Sequence, residues 1–311
     1  MAFYITAPSN SSMELYPENT LTSYTVHLPR QIDLDGPYEV ALTTFQYTRS
    51  WNNVSEDFNQ ILFSINGLEM KTKIPIGFYE TEYELLNGIL DSIMKAMKKM
   101  SSQNTDMEAY LKECELHKFF QFVYKEKSRR VAIYLRMQTS ITFHSRMSGM
   151  LGFENTHFDF TRNEGHHAAA TSGNDVVEHG LFNFEEVETK EKNLPVEKYV
   201  EVLKNNKTPK RFHAENEIDL EQGLYMLCVY CNILEEQIVG DTMVPLLKIV
   251  AVEGRHGQNI TREYINPQYV PVFMTHFSEL EIDIRDDAGA RVPFERGRVL
   301  ATLHFRRKSE L

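Results

Sequence analysis

Apolar and polar residues alternate with a period of two in several separate stretches of this chain, the pattern of strands with one buried face. Residues 23–28 (SYTVHL) alternate and are closed by Pro29. After the turn at Asp35-Gly36-Pro37, residues 38–47 (YEVALTTFQY) predict a longer strand with Tyr38, Val40, Leu42 and Thr44 on one face. A third strand is expected at 61–66 (ILFSIN), stopped by Gly67. Near the other end Leu280, Ile282 and Ile284 fall on one face and Glu279, Glu281, Asp283 and Arg285 on the other. Val299, Ala301, Leu303 and Phe305 repeat the pattern, and Asp286-Asp287-Ala288-Gly289 turns the chain between the two. Segments 279–285 and 299–306 are therefore expected to form an antiparallel pair.

Two further segments, 224–233 (LYMLCVYCNI) and 245–252 (PLLKIVAV), are apolar on both faces, as strands covered on both sides in a sandwich or at a subunit contact would be. Segment 262–272 holds Pro267 and Pro271, which confine it to an edge or an irregular strand. Counted together these are eight strands, the complement of one jelly roll. The fold class expected is mainly β, a single eight-stranded jelly-roll sandwich with an inserted α+β region.

The inserted region is expected at 68–220, between jelly-roll parts at 1–67 and 221–311. Within it Thr81 and Glu84 have capping-box spacing, and Tyr83, Leu86, Leu90, Ile93, Met97 and Met100 follow a helical stripe that Gly88 interrupts. Glycine there costs about 1 kcal/mol relative to alanine, too little to cancel so long a stripe. The stripe needs a surface, and a strand pair at 119–124 and 131–135, extended by Ile141 and Phe143, is the candidate. Met147 to Leu151 reads as one helical turn ended by Gly152. Residues 154–220 carry little order signal apart from a short helix expected at 195–203 (PVEKYVEVL).

Three blocks carry a family resemblance. The N-terminal FYITAPSNSSMELYPENTLTSYTVHLPRQIDLDGPYEVALTTFQYTRSWNN, the short RMSGMLGF, and the C-terminal GLYMLCVYCNILEEQIVGDTMVPLLKIVAVEG, NPQYVPV and LEIDIRDDAGARVPFERGRVLATLHFRR resemble the minor capsid (penton) proteins of Polinton/Maverick elements and adintoviruses. The resemblance implies a single jelly-roll protein forming homopentamers at the vertices of an icosahedral capsid. It also implies a major double jelly-roll capsid protein as partner, and a location in the virion after synthesis in the host cytoplasm or nucleus. A double jelly roll itself needs sixteen strands, for which 311 residues with a helical middle are too few.

Composition narrows the alternatives. A net charge of −11 argues against a chain whose task is to neutralise DNA phosphates, so nucleic acid is not expected as its main partner. No charged-then-apolar leader opens the sequence and no run approaches the ~18 apolar residues of a membrane span. The Asn-x-Ser/Thr triplets at Asn10, Asn53, Asn206 and Asn259 are accordingly not expected to be glycosylated. Cys114, Cys228 and Cys231 are an odd, sparse set that fits a reducing compartment. In a strand the CxxC spacing of Cys228 and Cys231 points the two thiols to opposite faces, so both are expected as buried free thiols.

Catalytic signatures are missing: the sequence has no GxSxG, phosphate loop, HExxH or cupin-like HxH. His157, His166, His167 and His179 match no standard metal spacing, and Asp283, Asp286 and Asp287 lack calcium-loop spacing. No catalytic residue, cofactor or metal is expected. Lys95, Lys98, Lys99, Arg129 and Arg130 read as solvated basic groups. Two classes remain, an assembling capsid subunit and a free-standing jelly-roll module binding a glycan or protein. For assembly, Tyr47, Trp51 and Tyr269, aromatics beside strand ends, are the candidate subunit contacts.

Overall fold

The computed structural model describes residues 2–65, 67–101, 119–136, 138–160 and 209–308. Cys114, His166, His167, His179, Asn206 and the helix expected at 195–203 lie outside the described residues. In chain order the first elements are β1 (Ala2–Pro8), β2 (Ser23–Asp33), β3 (Tyr38–Thr48), β4 (Gln60–Ile65), β5 (Leu68–Lys73) and α1 (Glu82–Ser101). Then come β6 (Phe120–Lys125), β7 (Arg130–Leu135), β8 (Thr139–Phe143), a short helix Ser145–Met150, β9 (His157–Asp159) and β10 (Lys210–His213). The rest are β11 (Met226–Cys231), β12 (Gln237–Val239), β13 (Thr242–Val244), β14 (Leu246–Ala251), β15 (Asn259–Glu263), β16 (Val270–Pro271), β17 (His276–Arg285) and β18 (Leu300–Arg307). They fall into two compact units, residues 1–52 with 223–311, and residues 53–222.

The first unit is built from two antiparallel sheets. One runs β1, β18, β3, β15 in that order, with β16 also on β3; the other runs β14, β11, β17, β2. A single core joins them, because Leu42, Phe45, Leu303 and Phe305 of the first sheet meet Tyr24, Val229, Leu280 and Ile282 of the second. Across that core Phe277 stacks on Phe305 with ring centroids 5.9 Å apart, and the Tyr24 hydroxyl donates to the Ala7 carbonyl at 3.1 Å. Each such fully buried side chain contributes roughly 1.5–3 kcal/mol relative to exposure.

Three expectations are corrected here. Segments 279–285 and 299–306 are both strands, β17 and β18, yet they belong to opposite sheets and do not pair. The Asp286 turn closes locally, its N–H donating to the Ala290 carbonyl at 2.8 Å, and the long irregular link through Pro293 and Gly297 then crosses the sandwich. Segment 61–66 is β4, but it pairs with β5 and β8 in the second unit. Instead, β1 joins the first sheet, paired along its length with β18. Phe3, Ile5 and Ala7 alternate with more exposed neighbours there, a period-2 signal in the first residues of the chain.

The third correction concerns β3. Its core residues run Tyr38, Val40 and Leu42 and then Phe45 and Tyr47, so the alternation slips by one residue. The slip coincides with a break in register against β18, where Thr302 faces Thr44 and Leu303 faces Leu42. Thr43 is the extra residue of a β-bulge, and its hydroxyl donates to the Thr302 carbonyl at 3.0 Å. Thr44 therefore leaves the inner face and Phe45 takes its place.

The second unit holds the sheets β5, β4, β8, β9 and β10, β7, β6. β6 and β7 form the expected hairpin, whereas β8 pairs with β4 and β9 rather than extending it. Leu85, Leu86, Ile89, Ile93 and Met97 of α1 enter one core with Phe63 of β4 and Phe120 and Ile133 of the other sheet. At the helix start Thr81 Oγ1 accepts from the Glu84 N–H at 3.2 Å, and the Glu84 carboxylate accepts from the Glu80 N–H at 2.9 Å. Gly88 has a packing reason, since a Cβ there would stand 2.9 Å from the Tyr79 ring. Leu151 ends the short helix and Gly152 follows in the left-handed region at φ +87°.

Candidate assembly surface

Of the three aromatics expected at a subunit contact, the structure puts two in the interior. Tyr47 is 0% and Trp51 3% exposed, both within the core of the first unit. The bulge at Thr43 is the reason for Tyr47: plain alternation from Tyr38 aims it outward, and the extra residue turns it in. Trp51 lies on Tyr47 at 6.4 Å between centroids and meets the edge of Phe294 at 5.7 Å. Burial pushes the Tyr47 phenol pKa up against the opposing pull of Arg49 and Arg262. Neither side chain offers a surface to a neighbour.

Tyr269 is different, because it lies half-buried on the outer face of the first sheet. Its hydroxyl shares a hydrogen bond of 2.7 Å with His304 Nδ1, and the Arg306 guanidinium lies 3.4 Å above its ring. Arg306 in turn donates to Glu39 at 2.6 Å across the β18–β3 pair. Tyr4 stands opposite His304 in the β1–β18 register, the rings 4.5 Å apart, and is 65% exposed. Together they form an open platform of Tyr, His and Arg, of which Tyr and Arg are enriched where protein contacts are strongest.

A second exposed surface lies at the other edge of this unit. β1 and β2 share one edge, joined by the Tyr24–Ala7 hydrogen bond; β14 and β15 share the opposite one, where Lys248 sits 5.1 Å over the ring of Tyr264. From that second edge projects the hairpin β12–β13, whose facing residues Ile238 and Met243 are 78% and 54% exposed. Gly240-Asp241 makes its two-residue turn, with Gly240 at φ +61°. A groove of about 350 Å³ runs beside the hairpin, lined by Ile238, Leu246, Ile249 and Val270 among others.

Sequence reasoning had no part of the platform except Tyr269, and none of the hairpin. Both signals exist in the chain: Tyr4 is the outward residue of an alternating FYITA, and Gly-Asp between IV and TM is hairpin turn chemistry. Cys228 and Cys231 are buried free thiols, and burial pushes the Cys231 pKa up to about 12. Among the described residues no three His, Cys, Asp or Glu side chains gather as a metal site would need, and no helix is long and apolar enough to cross a membrane.

The sequence matches no protein-family model and no curated protein. Among solved structures, the mavirus penton protein aligns over 98% of this chain and 99% of its own, with 10% identity and a TM-score of 0.44. The Sputnik virophage structure determined by electron cryo-microscopy aligns over 98% of this chain and 97% of its own, with 11% identity and a TM-score of 0.40.

Proposed function

We propose that the chain is a structural capsid protein, a penton subunit that closes into homopentamers at icosahedral vertices beside a major double jelly-roll capsid protein. The observation that carries the proposal is the strand order of the first unit. Taken along the chain, β1, β2, β3, β11, β14, β15, β17 and β18 distribute between the sheets as β1-β18-β3-β15 and β14-β11-β17-β2. That interleaving, with the first strand beside the last and the second beside the seventh, fits two Greek keys wound into a single jelly roll. The unit of residues 53–222 is then an insertion between its third and fourth strands.

The resemblance of the N-terminal, RMSGMLGF and C-terminal blocks to Polinton/Maverick and adintovirus pentons supports the particular role. On this reading the chain acts by assembly, without catalysis, cofactor or metal, in the virion. Native mass spectrometry of the purified full chain tests it. Five chains per particle is the expected result, and a species that stays monomeric or trimeric at every concentration, with and without the major capsid protein, removes the proposal.

A further inference from the structure

We propose that copies of the chain join head to tail through the two edges of the first unit. The Tyr4–His304 platform of one copy meets the Ile238–Met243 hairpin and its groove on the next. The inference rests on the reading of the chain as an assembling subunit and names the surfaces that would do it. A closed ring of odd number needs a heterologous contact, in which one patch meets a different patch. Tyr4 on edge strand β1 and the hairpin beside edge strand β14 are two unlike patches on opposite edges, whereas the Tyr269 side of the platform adjoins Gln268 and Val270 of the groove and lies outside the proposed contact.

The patches are matched in chemistry. On one edge β1 carries no charged residue from Ala2 to Pro8, and its neighbour β18 ends in Arg306, paired with Glu39, and the exposed Arg307, with exposed Lys308 following. On the other edge Glu235 and Glu236 precede the hairpin and Asp241 sits at its tip, all exposed, three acids against the groove-lining Lys248 that lies over the Tyr264 ring. Around these charges lie the large exposed apolar groups Tyr4 on one side and Ile238, Met243 and Ile249 on the other. An apolar centre with charges of opposite sign at its rim gives a contact both burial and orientation, and the opposite signs make each patch repel its own kind. A second copy, which brings the basic patch to the acidic hairpin, is thus a better occupant of the hairpin than an unrelated polyanion, which the hairpin would repel.

The test uses two variants of the full chain, Tyr4→Glu and Ile238→Glu, each checked by thermal melting; both put an acid at the apolar centre, so the two disabled patches repel each other as well. Both positions are exposed, so each variant should keep a cooperative melt, lowered from wild type only by the loss of the stabilisation that assembly gives. If Tyr4→Glu unfolds the chain, Arg307→Glu with Lys308→Glu takes its place. Sedimentation velocity should find each variant alone monomeric, because its ring lacks one half of every contact. An equimolar mixture should give a one-to-one heterodimer and nothing larger, since the intact hairpin of the first variant meets the intact platform of the second. A wild-type chain that assembles alongside variants that assemble equally well overturns the surfaces and leaves the capsid reading standing. Monomeric variants whose mixture also stays monomeric overturn the head-to-tail pairing. A wild-type chain that never assembles removes the capsid reading and this inference together.

Discussion

The two units reach their cores by different routes. In the unit of residues 53–222, α1 follows directly on β5 and packs on it, and β6 and β7 are a local hairpin. In the unit of residues 1–52 and 223–311, β1 pairs with β18 from the opposite end of the chain. Contacts so far apart in sequence carry a larger loop-closure cost, but that cost grows only slowly, by about 0.6 kcal/mol for each doubling of the loop. The insertion reduces it further. Its two ends meet, since the Gln222 side-chain amide donates to the Asn53 carbonyl, so the folded insertion presents itself as a short loop. A sandwich made from residues 1–52 and 223–311 thereby accommodates the unit of residues 53–222 between β3 and β11.

The largest effect that separates the units comes from their cores. Phe45→Ala empties a fully buried site in the first unit and should cost about 3–5 kcal/mol, while Ile93→Ala in α1 should cost about 2–5 kcal/mol in the second. Hydrogen exchange read segment by segment checks the independence of the units. Phe45→Ala should deprotect β3 and β18 and leave α1 at its wild-type rate, and Ile93→Ala should do the reverse. Replacing 53–222 by a short Gly/Ser linker pushes the comparison harder: the remaining chain should keep a β-type circular dichroism spectrum and a cooperative melt.

A smaller, pH-dependent difference comes from the buried thiols, which among the described residues lie in the first unit. Burial holds Cys231 protonated in the folded state to about 12, whereas its ordinary pKa is 9.0. Between those values the unfolded chain has lost a proton that the folded chain keeps, so the contribution is fully present below pH 9 and lost as pH rises toward 12. The Cys231 share of the slope is on the order of 1 kcal/mol per pH unit, and Cys231→Val should lower the slope by that share while keeping the volume of the core; the raised Cys228 thiol keeps a remainder. Urea denaturation at pH 8, 9 and 10 reads the slope.

The smallest predicted effect tests a packing detail of the second unit. Gly88→Ala improves helix propensity by about 1 kcal/mol, yet the new Cβ stands 2.9 Å from a Tyr79 ring held by its hydroxyl on the Pro75 carbonyl. The clash should outweigh the propensity, and the melting temperature should fall slightly. A rise would mean that Tyr79 moves aside at little cost.

What was legible in the chain follows from the range of the signal. β17 and β18 read cleanly because period-2 alternation is local, and Leu280, Ile282, Ile284, Ala301, Leu303 and Phe305 are indeed fully buried. The helical stripe located α1, although its buried line includes Leu85 and Ile89, and Tyr83 at its start is half exposed. Partners were not legible. Nothing in ILFSIN says that it pairs with β5 and β8 rather than joining the sandwich, and nothing in the DDAG turn says that the chain crosses to the other sheet. The bulge at Thr43 is set by the register against β18, more than two hundred residues away, and no glycine or proline marks it. That one residue turns Tyr47 inward, whereas Tyr269 stays at the surface, where His304 and Tyr4 complete a platform that only the folded chain brings together.

The central claim is that a sandwich built from both ends of the chain assembles into a five-membered ring. Electron microscopy of the purified full chain, classified without imposed symmetry, tests it most directly. Class averages with five-fold symmetry and one copy per wedge are the predicted result; isolated single chains, or rings with three-fold or six-fold symmetry, would contradict it.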